Sequence, residues 1–579
     1  MAQSSTQTDA TLKEFSSLIR LVIEGATRKE ISPQLEEQLA QAESSGLIYL
    51  VQAVRRILTG AMDIDAFPDL GKENRCVIES ILDGIHTRNS DVRETDELAL
   101  ILEKLPKGAY PPFLRRINKK QLSDIAHAKR FVQRYKADPV FRELVAQDPC
   151  KAARDYDIQI DPEEIRPLWD YDARSEHLKK RLPMTSITEL CLQFDREVMV
   201  TWSMRHRSGA HFTHPRVRAW WERQVARGAT ELGPEINAND IHAPACFELC
   251  SGCTVGCWFC GLSAERFKSA FEYTHENQQL WRELLEVTRD IIGPAIQASF
   301  CYWATEPLDN PDYEEFISDY HAIVGSLPST TTALASREMP RARTLIHMWE
   351  DRAFVANHFS VLTVKQLDQI HKEFTAEELV FTGMKFVNKG SSVKKATAGR
   401  ALEKLNRQIE NGRNEESDDV KDELTQGTIA CVSGFLFNMV EKTIQLISPC
   451  KASEQWPKGY KVLSEGSFSS AADVRQLMER MIDENMPVTL TDNDRVRFRD
   501  DIHLELLADG FRMSTECWSQ TIHDPRYARE FGELVLTGLS TVSQIVEALH
   551  PLGISAREIK ASIDVLFKNG LLNDELVPD

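Results

Sequence analysis

Long apolar runs are missing from this sequence. Nowhere do 18 apolar residues follow one another, which excludes a membrane-spanning helix. A basic surplus is missing as well: 69 Lys and Arg stand against 88 Asp and Glu, a net charge of -19. A broad phosphate-binding face needs the opposite balance, so neither nucleic acid nor membrane is expected as a partner. The opening residues, MAQSSTQTDATLKEF, carry no basic patch followed by an apolar stretch, so no secretory signal is expected and the expected location is cytoplasmic. Evenly spaced cysteines, the mark of a small disulfide framework, are lacking too. Of 12 cysteines, five crowd together as Cys246, Cys250, Cys253, Cys257 and Cys260, and seven are scattered: Cys76, Cys150, Cys191, Cys301, Cys431, Cys450 and Cys517. A tight cluster in a long chain points to metal rather than to cross-linking.

What remains is an ordinary globular composition, 42% hydrophobic and 27% charged over 579 residues, enough for roughly 3–5 domains. Residues 1–105 read as a helical domain, because Leu12, Phe15, Ile19 and Val22 share one face. So do Leu47, Leu50, Val51, Val54 and Leu58, and Val77, Ile78, Ile81, Leu82 and Ile85. A helical segment at 106–172 is punctuated by Asp138-Pro139, Asp148-Pro149 and Asp161-Pro162, each expected to start a short helix with Asp as cap and Pro in the first position. A helical connector follows at 173–240.

Between 241 and 465, apolar runs alternate with helical stretches. Expected strands are Ala298–Trp303, Thr331–Ala335, His358–Leu362, Leu379–Phe381, Thr428–Val432 and Thr443–Ile447, with an exposed helical insertion or loop at Lys389–Gln426. This is the α/β pattern of βα units. The last segment, 466–579, has short alternating runs at Arg495–Phe498 and Leu504–Leu507, a turn at Asp509-Gly510, and helices whose starts, Thr541 with Gln544 and Ser555 with Glu558, fit capping boxes. Asn569-Gly570 ends the last helix, and the whole reads as a winged-helix-like module for peptide recognition.

The chemistry concentrates in Cys253-Thr-Val-Gly-Cys257-Trp-Phe-Cys260, a C-x3-C-x2-C loop. Three metal sites compete for it. Zinc would use two C-x2-C pairs, yet only three residues separate Cys253 from Cys257, a short reach for four tetrahedral thiolates. A fully ligated ferredoxin-type cluster needs a fourth cysteine at another spacing. A cubane held by three thiolates leaves one iron open to a substrate, and that reading fits best.

With Phe259 just before the last cysteine, this motif resembles the radical S-adenosylmethionine superfamily. The resemblance implies a partial six-stranded βα barrel, one 4Fe-4S cluster on Cys253, Cys257 and Cys260, and S-adenosylmethionine as co-substrate. It implies Phe259, Glu306, Ser336, Arg337 and Ser360 as contacts to that cofactor, Glu306 standing where the family's Gly-Gly-Glu-Pro segment places its acid. Here Ala304 and Thr305 replace the two glycines. No downstream cysteine array exists, so one cluster only is expected.

The segment 129–170, within the leader-peptide-like helical stretch 106–172, resembles nitrile-hydratase-like leader peptides through the phrase DPVFRELVAQDPCKAARDYDIQI, and GLSTVSQIVEAL loosely resembles the modules that recognise such leaders. CSGCTVGCWFCGLSAERF and GTIACVSGFLFNMVEKTIQLISPCKASEQWPKGY resemble the radical epimerases of the proteusin pathway, which convert L- to D-residues in a precursor peptide. That resemblance spans roughly 125–470 and implies a leader-bearing precursor peptide and a flavodoxin or ferredoxin electron donor as partners. Epimerization needs a hydrogen donor opposite the radical, and a thiol that binds no iron suits it. Cys450, ending TIQLISPC, is the expected donor, with Cys431 the alternative. Cys246 and Cys250 read as structural neighbours of the loop. Trp456 to Tyr460 is a candidate substrate wall, while Trp220-Trp221 reads as core. A peptide cross-linking or C-methylating enzyme, or a non-catalytic metal-bearing scaffold that binds leaders, are the rival readings.

Overall fold

A computed structural model describes residues 117–180, 183–206, 212–234, 237, 241–350, 357–393, 395–410, 424–425 and 427–573. Within the first 116 residues it describes 18–19, 21–22, 33–44, 48–58, 77–78 and 81. Leu12, Phe15, Leu47, Cys76, Leu82 and Ile85 lie outside the described residues. The chain divides into two compact units, Met1–Lys104 with Pro112–Lys119, and Leu105–Pro111 with Lys120–Asp579.

In the first unit, α2 (Ile48–Leu58) turns its expected apolar face inward, and α1 (Pro33–Ser44), whose face was not singled out from sequence, packs with it. Leu35, Leu39, Leu50, Val51, Val54 and Ile57 bury against Val22, Val77, Ile78 and Ile81. The 3.6-residue spacing read from sequence is what makes that stripe continuous.

The second unit begins with α3 (Lys119–Ala137), α4 (Pro139–Gln147) and α5 (Pro149–Asp155). Asp138 caps α4 by accepting from the Val140 N–H at 3.0 Å, and Asp148 caps α5 through the Lys151 N–H at 2.9 Å, as the Asp-Pro pairs predict. The third pair departs from expectation: Pro162 opens only a turn, and a four-residue helix starts later at Arg166. There Asp161 accepts from the Glu163 N–H, closing a local turn that competes with a helix start.

α6 (Pro215–Glu231) leads into β1 (Ala243–Glu248), then α7 (His275–Ile292), β2 (Thr331–Thr332), β3 (Asn357–Val361), β4 (Thr382–Phe386) and α8 (Gly399–Glu410). β5 (Val432–Asn438), β6 (Thr443–Pro449) and β7 (Tyr460–Ser467) precede α9 (Ala471–Asn485). Two sheets carry this region. One has the order β1-β5-β6-β7, with β1 and β5 parallel and β6 antiparallel to both its neighbours. The other is β2-β3-β4, all parallel. A bridge between Cys246 and Phe300 extends β1 on its free side.

The architecture is mixed α/β, but among the described strands the two sheets do not join into a closed barrel. Three strands also shift from their expected places. Ala298–Trp303 makes only the Phe300 bridge. Leu379–Phe381 forms a turn, its Leu379 carbonyl accepting from the Thr382 N–H, so β4 starts at Thr382. β5 starts at Val432, where the Thr428–Val432 run was expected to end.

Alternation along β1 divides its two faces. Ala245 and Phe247 join the large core, where Phe247 stacks on Phe437 at 4.9 Å and meets Trp281 edge-on. Cys246 joins a second core with Leu262, Phe300, Trp303 and Leu436. Trp220 and Trp221 are buried in the large core, as read from sequence.

The C-terminal module has β8 (His503–Leu507), β9 (Gly510–Ser514) and β10 (Ser519–His523), followed by α10 (Ala528–Thr537), α11 (Val542–Leu549) and α12 (Ala556–Lys568). The strands form one antiparallel sheet in chain order, with β8 and β10 at its edges. Thr541 and Gln544 form the expected reciprocal capping box. Ser555 caps α12, accepting from the Glu558 N–H at 3.2 Å. Arg495–Phe498 is not a strand: each end makes a single bridge, to Thr541 and to Leu572. The module is bolted to α6, where the Arg223 guanidinium covers the Phe567 ring at 4.1 Å and Arg499 donates to the Thr230 hydroxyl at 3.0 Å. No described helix is long and apolar enough to cross a membrane.

Asp138 tests this framework, because it also pairs with buried Arg134 at 2.9 Å. Asp138→Ala removes a cap and leaves a buried guanidinium short of a partner, a loss of about 2–4 kcal/mol. Urea unfolding should show that loss, and Asp138→Asn, which keeps a capping oxygen, should recover part of it.

Candidate functional site

The five-cysteine segment leaves the C-terminal end of β1 and doubles back on itself. The Cys253 N–H donates to the Glu265 carbonyl at 2.9 Å, and the Phe267 N–H returns to the Cys253 carbonyl at 3.3 Å. Gly252 makes this closure possible: its φ is 79°, and a Cβ there would lie 2.2 Å from the Arg266 carbonyl oxygen. Only glycine fits both conditions.

A basic segment grips the loop from outside. Arg400 at the start of α8 donates to the Cys257 carbonyl at 2.7 Å and to the Ala264 carbonyl, and its own N–H reaches the Cys260 carbonyl at 3.0 Å. Lys404 sits 3.8 Å from the centre of the Trp258 ring, and Lys395 5.9 Å from that of Phe259. Gly399 packs so tightly that a Cβ would meet the Gly261 and Cys260 carbonyls at 2.4 and 2.6 Å.

The three thiols differ. Cys257 donates toward Cys260, which pulls the Cys260 thiol below its ordinary value, with help from the Ala264 N–H at 3.4 Å and from Arg400. The same contact, with burial, pushes Cys257 up. Burial raises Cys253 to about 11. Three cysteine sulfurs on one loop suit iron–sulfur ligation in kind and number. In this structure they stand as a pair and a third, and among the described residues no three His, Cys, Asp or Glu side chains converge at metal-ligating spacing.

Glu306 lies beside this loop, close enough to raise Cys253. It is buried, and its carboxyl is already engaged. The Thr332 hydroxyl and the Leu308 N–H donate to Oε1 and the Ala333 N–H to Oε2 at 2.8 Å. It therefore caps the Pro307–Asp309 turn and fixes the end of β2. Burial outweighs these donors and lifts it to about 7. Ser336 and Arg337 stand on the turn after β2, where the Arg337 N–H bonds the Leu334 carbonyl. Ser360 lies on β3 in register with Lys385 of β4. Of the expected cofactor contacts, the structure thus brings Phe259 and Glu306 to the cysteines, leaves Ser336 and Arg337 on the turn after β2 and sets Ser360 on β3.

Cys450 is not where the sequence suggested. Because β6 runs antiparallel to β1 and β5, its last residues return to the N-terminal end of β1, away from the loop-bearing end. The Cys450 N–H bonds the Gly459 carbonyl at 3.0 Å, and the residue is only 2% exposed. Cys431 precedes β5, and its carbonyl accepts from the Ala243 N–H at 2.8 Å. Its half-buried thiol lies within electrostatic reach of Cys246, Tyr302 and Lys385, at the same N-terminal end of β1 and β5 to which Cys450 returns. Trp456 is part of a tight turn, its carbonyl accepting from the Ser453 and Gly459 N–H groups.

Sequence reasoning missed Glu248. It is buried at the end of β1, accepts from the Ala304 N–H at 2.9 Å and from Asn438 Nδ2 at 3.3 Å, and is lifted by burial to about 7. An acid closing the otherwise apolar run APACFE was the available signal. With Trp303, Asn438, Glu441, Lys458 and Tyr460 it lines a cavity of about 210 Å³ at the C-terminal ends of β1 and β5. In the C-terminal module a second, more apolar cavity of about 310 Å³ lies between β10 and α12, bounded by Ile522, Tyr527, Phe531 and Val565 among others.

Residues 496–570 match the family described as Protein y4wI C-terminal domain. The chain is 34% identical over 509 residues to the uncharacterized protein y4wI of Sinorhizobium fredii (strain NBRC 101917 / NGR234), an alignment covering 85% of this chain and 96% of that protein. The chain belongs to the y4wI family. No solved structure matches it.

Glu248 and Glu306 give the second unit a pH signature. Each is a carboxyl whose folded value, about 7, lies above its ordinary 4.5, so the folded state holds these protons more tightly than the unfolded chain. Their contribution is complete below pH 4.5 and is lost as pH rises through 7. Unfolding free energy measured from pH 5 to 7.5 should fall less steeply in Glu306→Gln than in the parent, by up to about 3 kcal/mol across that window.

Proposed function

We propose that this protein is a radical S-adenosylmethionine peptide epimerase, converting L- to D-residues in a ribosomally made precursor. The observation that carries the reading is the cysteine loop itself. Three thiols leave the C-terminal end of a parallel strand, one of them, Cys260, is held toward its thiolate, and Arg400 fixes the backbone that bears the pair. Cys253, Cys257 and Cys260 would hold a 4Fe-4S cluster, which supplies the electron that cleaves the S-adenosylmethionine sulfonium.

The chain's own residues then have separate duties. Glu306 offers a buried acceptor beside the loop for the ammonium of S-adenosylmethionine, provided a donor joins or replaces those it now serves. Cys431 returns a hydrogen atom to the substrate Cα after abstraction. Its S–H bond breaks, the new Cα–H bond forms on the opposite face, and the sulfur radical left behind needs one electron and one proton from an external flavodoxin or ferredoxin system. Cys431 and Cys450 lie at the same end of this sheet, and Cys431 suits the role better because its thiol is half-buried whereas Cys450 is 2% exposed.

The C-terminal module binds the leader. β10 is a sheet edge with backbone groups to spare, and the apolar cavity between it and α12 offers side-chain pockets beside that edge. An extended peptide added along such an edge gains main-chain hydrogen bonds from the strand and specificity from the pockets.

Anaerobic reconstitution with iron and sulfide, followed by reaction in heavy water with a leader-bearing precursor peptide, tests the proposal. The expected result is deoxyadenosine release and one deuterium at Cα of each inverted residue. Peptide that loses mass or gains a methyl group would instead support the cross-linking or methylating reading. A colourless, zinc-loaded protein that releases no deoxyadenosine would support the scaffold. Cys431→Ala should abolish D-residue formation while deoxyadenosine is still released, and Cys450→Ala should retain at least half of the parent's turnover. The reverse pattern would return the donor role to Cys450.

A further inference from the structure

The cavity beside the cysteine loop has a mixed set of hydrogen-bonding groups that the chemistry above leaves unused. Glu248 is 7% exposed, and its two oxygens together accept from Ala304 and Asn438. A carboxylate can accept about four such bonds, so acceptor capacity remains. Glu441 adds a second carboxylate, held by the Ser251 hydroxyl at 2.9 Å. The donors are different in kind. Trp303 is 6% exposed, and its indole N–H meets no acceptor in hydrogen-bond geometry, although it lies close enough to Tyr460 to hold back the rise of that phenol. Lys458, exposed at the rim, brings a cation.

Charge then narrows the occupant. An anionic group would face Glu248 and Glu441 across a small space, and a cationic group would face Lys458 while leaving the Trp303 N–H unsatisfied. A neutral group that donates through nitrogen and accepts through oxygen satisfies both walls. The size, about 210 Å³, admits one side chain rather than a length of folded peptide.

We propose that this cavity receives the carboxamide side chain of an Asn or Gln residue in the peptide, its NH2 directed to Glu248 and its carbonyl oxygen to Trp303 and Lys458. That the occupant is a peptide rests on the function proposed above, whereas the preference for a neutral amide rests on the cavity alone.

Blocked tripeptides separate the alternatives: acetyl-Ala-X-Ala-amide with X as Asn, Asp, 2,3-diaminopropionate or Ala, titrated against the full-length protein by saturation-transfer NMR. Binding needs no cluster and no reductant, so a protein that binds the Asn peptide yet releases no deoxyadenosine overturns the catalytic reading and supports this one. The Asn peptide should bind saturably and at least tenfold more tightly than the other three. Trp303→Phe should weaken it at least fivefold. Lys458→Met, a change at the exposed rim that leaves the buried walls intact, should weaken it too and should let the diaminopropionate peptide bind as well as the Asn peptide. The inference is overturned if the Asp, diaminopropionate or Ala peptide binds the parent protein as well as the Asn peptide does, if none binds saturably, or if Lys458→Met leaves the order of affinities unchanged.

Discussion

The short parallel pairing of Ala243–Glu248 with Val432–Asn438 is the constraint on which the rest of the site depends. It sets two strand ends side by side, so that Glu248 and Asn438 meet and the cysteine loop departs next to them. Parallel strands are joined only through long crossovers, and here the crossover holds almost two hundred residues, including the whole β2-β3-β4 sheet. The pairing therefore brings residues from distant parts of the sequence to one place. Phe247 and Phe437, stacked on the helical side, anchor it, and the other side is left for Cys246, Glu248 and the cavity.

The segment that resembles a leader peptide belongs to this construction rather than hanging from it. Lys129 donates to the Val380 and Thr382 carbonyls, Arg130 to the Phe374 carbonyl and Arg142 to that of Gly390, while Asn388 donates to the Ala137 carbonyl. These bonds tie α3 and α4 to the start of β4 and to the turns on either side of it, and Ala137 packs with Val361, Leu367 and Phe386. The resemblance thus has a physical use in the fold that requires no binding partner.

Local signals were legible in the sequence, and non-local ones were not. Asp138, Asp148, Thr541 and Ser555 cap where their neighbours in sequence said they would, because capping is decided within three or four residues. The apolar faces of α2, α11 and α12 followed from period alone. The direction of β6 did not: apolar alternation is the same in a parallel and an antiparallel strand, and only the tight β5–β6 turn at Met439–Lys442 reverses it and carries Cys450 away from the loop. Glu306 was legible as an acid before a turn, but its engagement with Thr332 and Ala333, some 26 residues on, depended on where β2 lands. Arg400 carried no signal at all, since its role is to bind carbonyls 136 and 143 residues earlier in the chain.

The Cys257 thiol, with backbone donors and Arg400 around it, lets an acidic chain hold a thiolate at Cys260. The protein carries a net charge of -19, which on average opposes any further negative charge. Averages do not act at a loop; neighbours do. Within ten residues, Lys395, Arg400 and Lys404 place three cations on Phe259, on the Cys257 and Ala264 carbonyls and on Trp258. Cysteines gain thiolate character beside such cations and lose it when merely buried. Cys260 goes down chiefly because the Cys257 thiol donates to it, with the Ala264 and Leu262 N–H groups and then Arg400 adding to that, while Cys253, buried with Glu306 nearby, goes up.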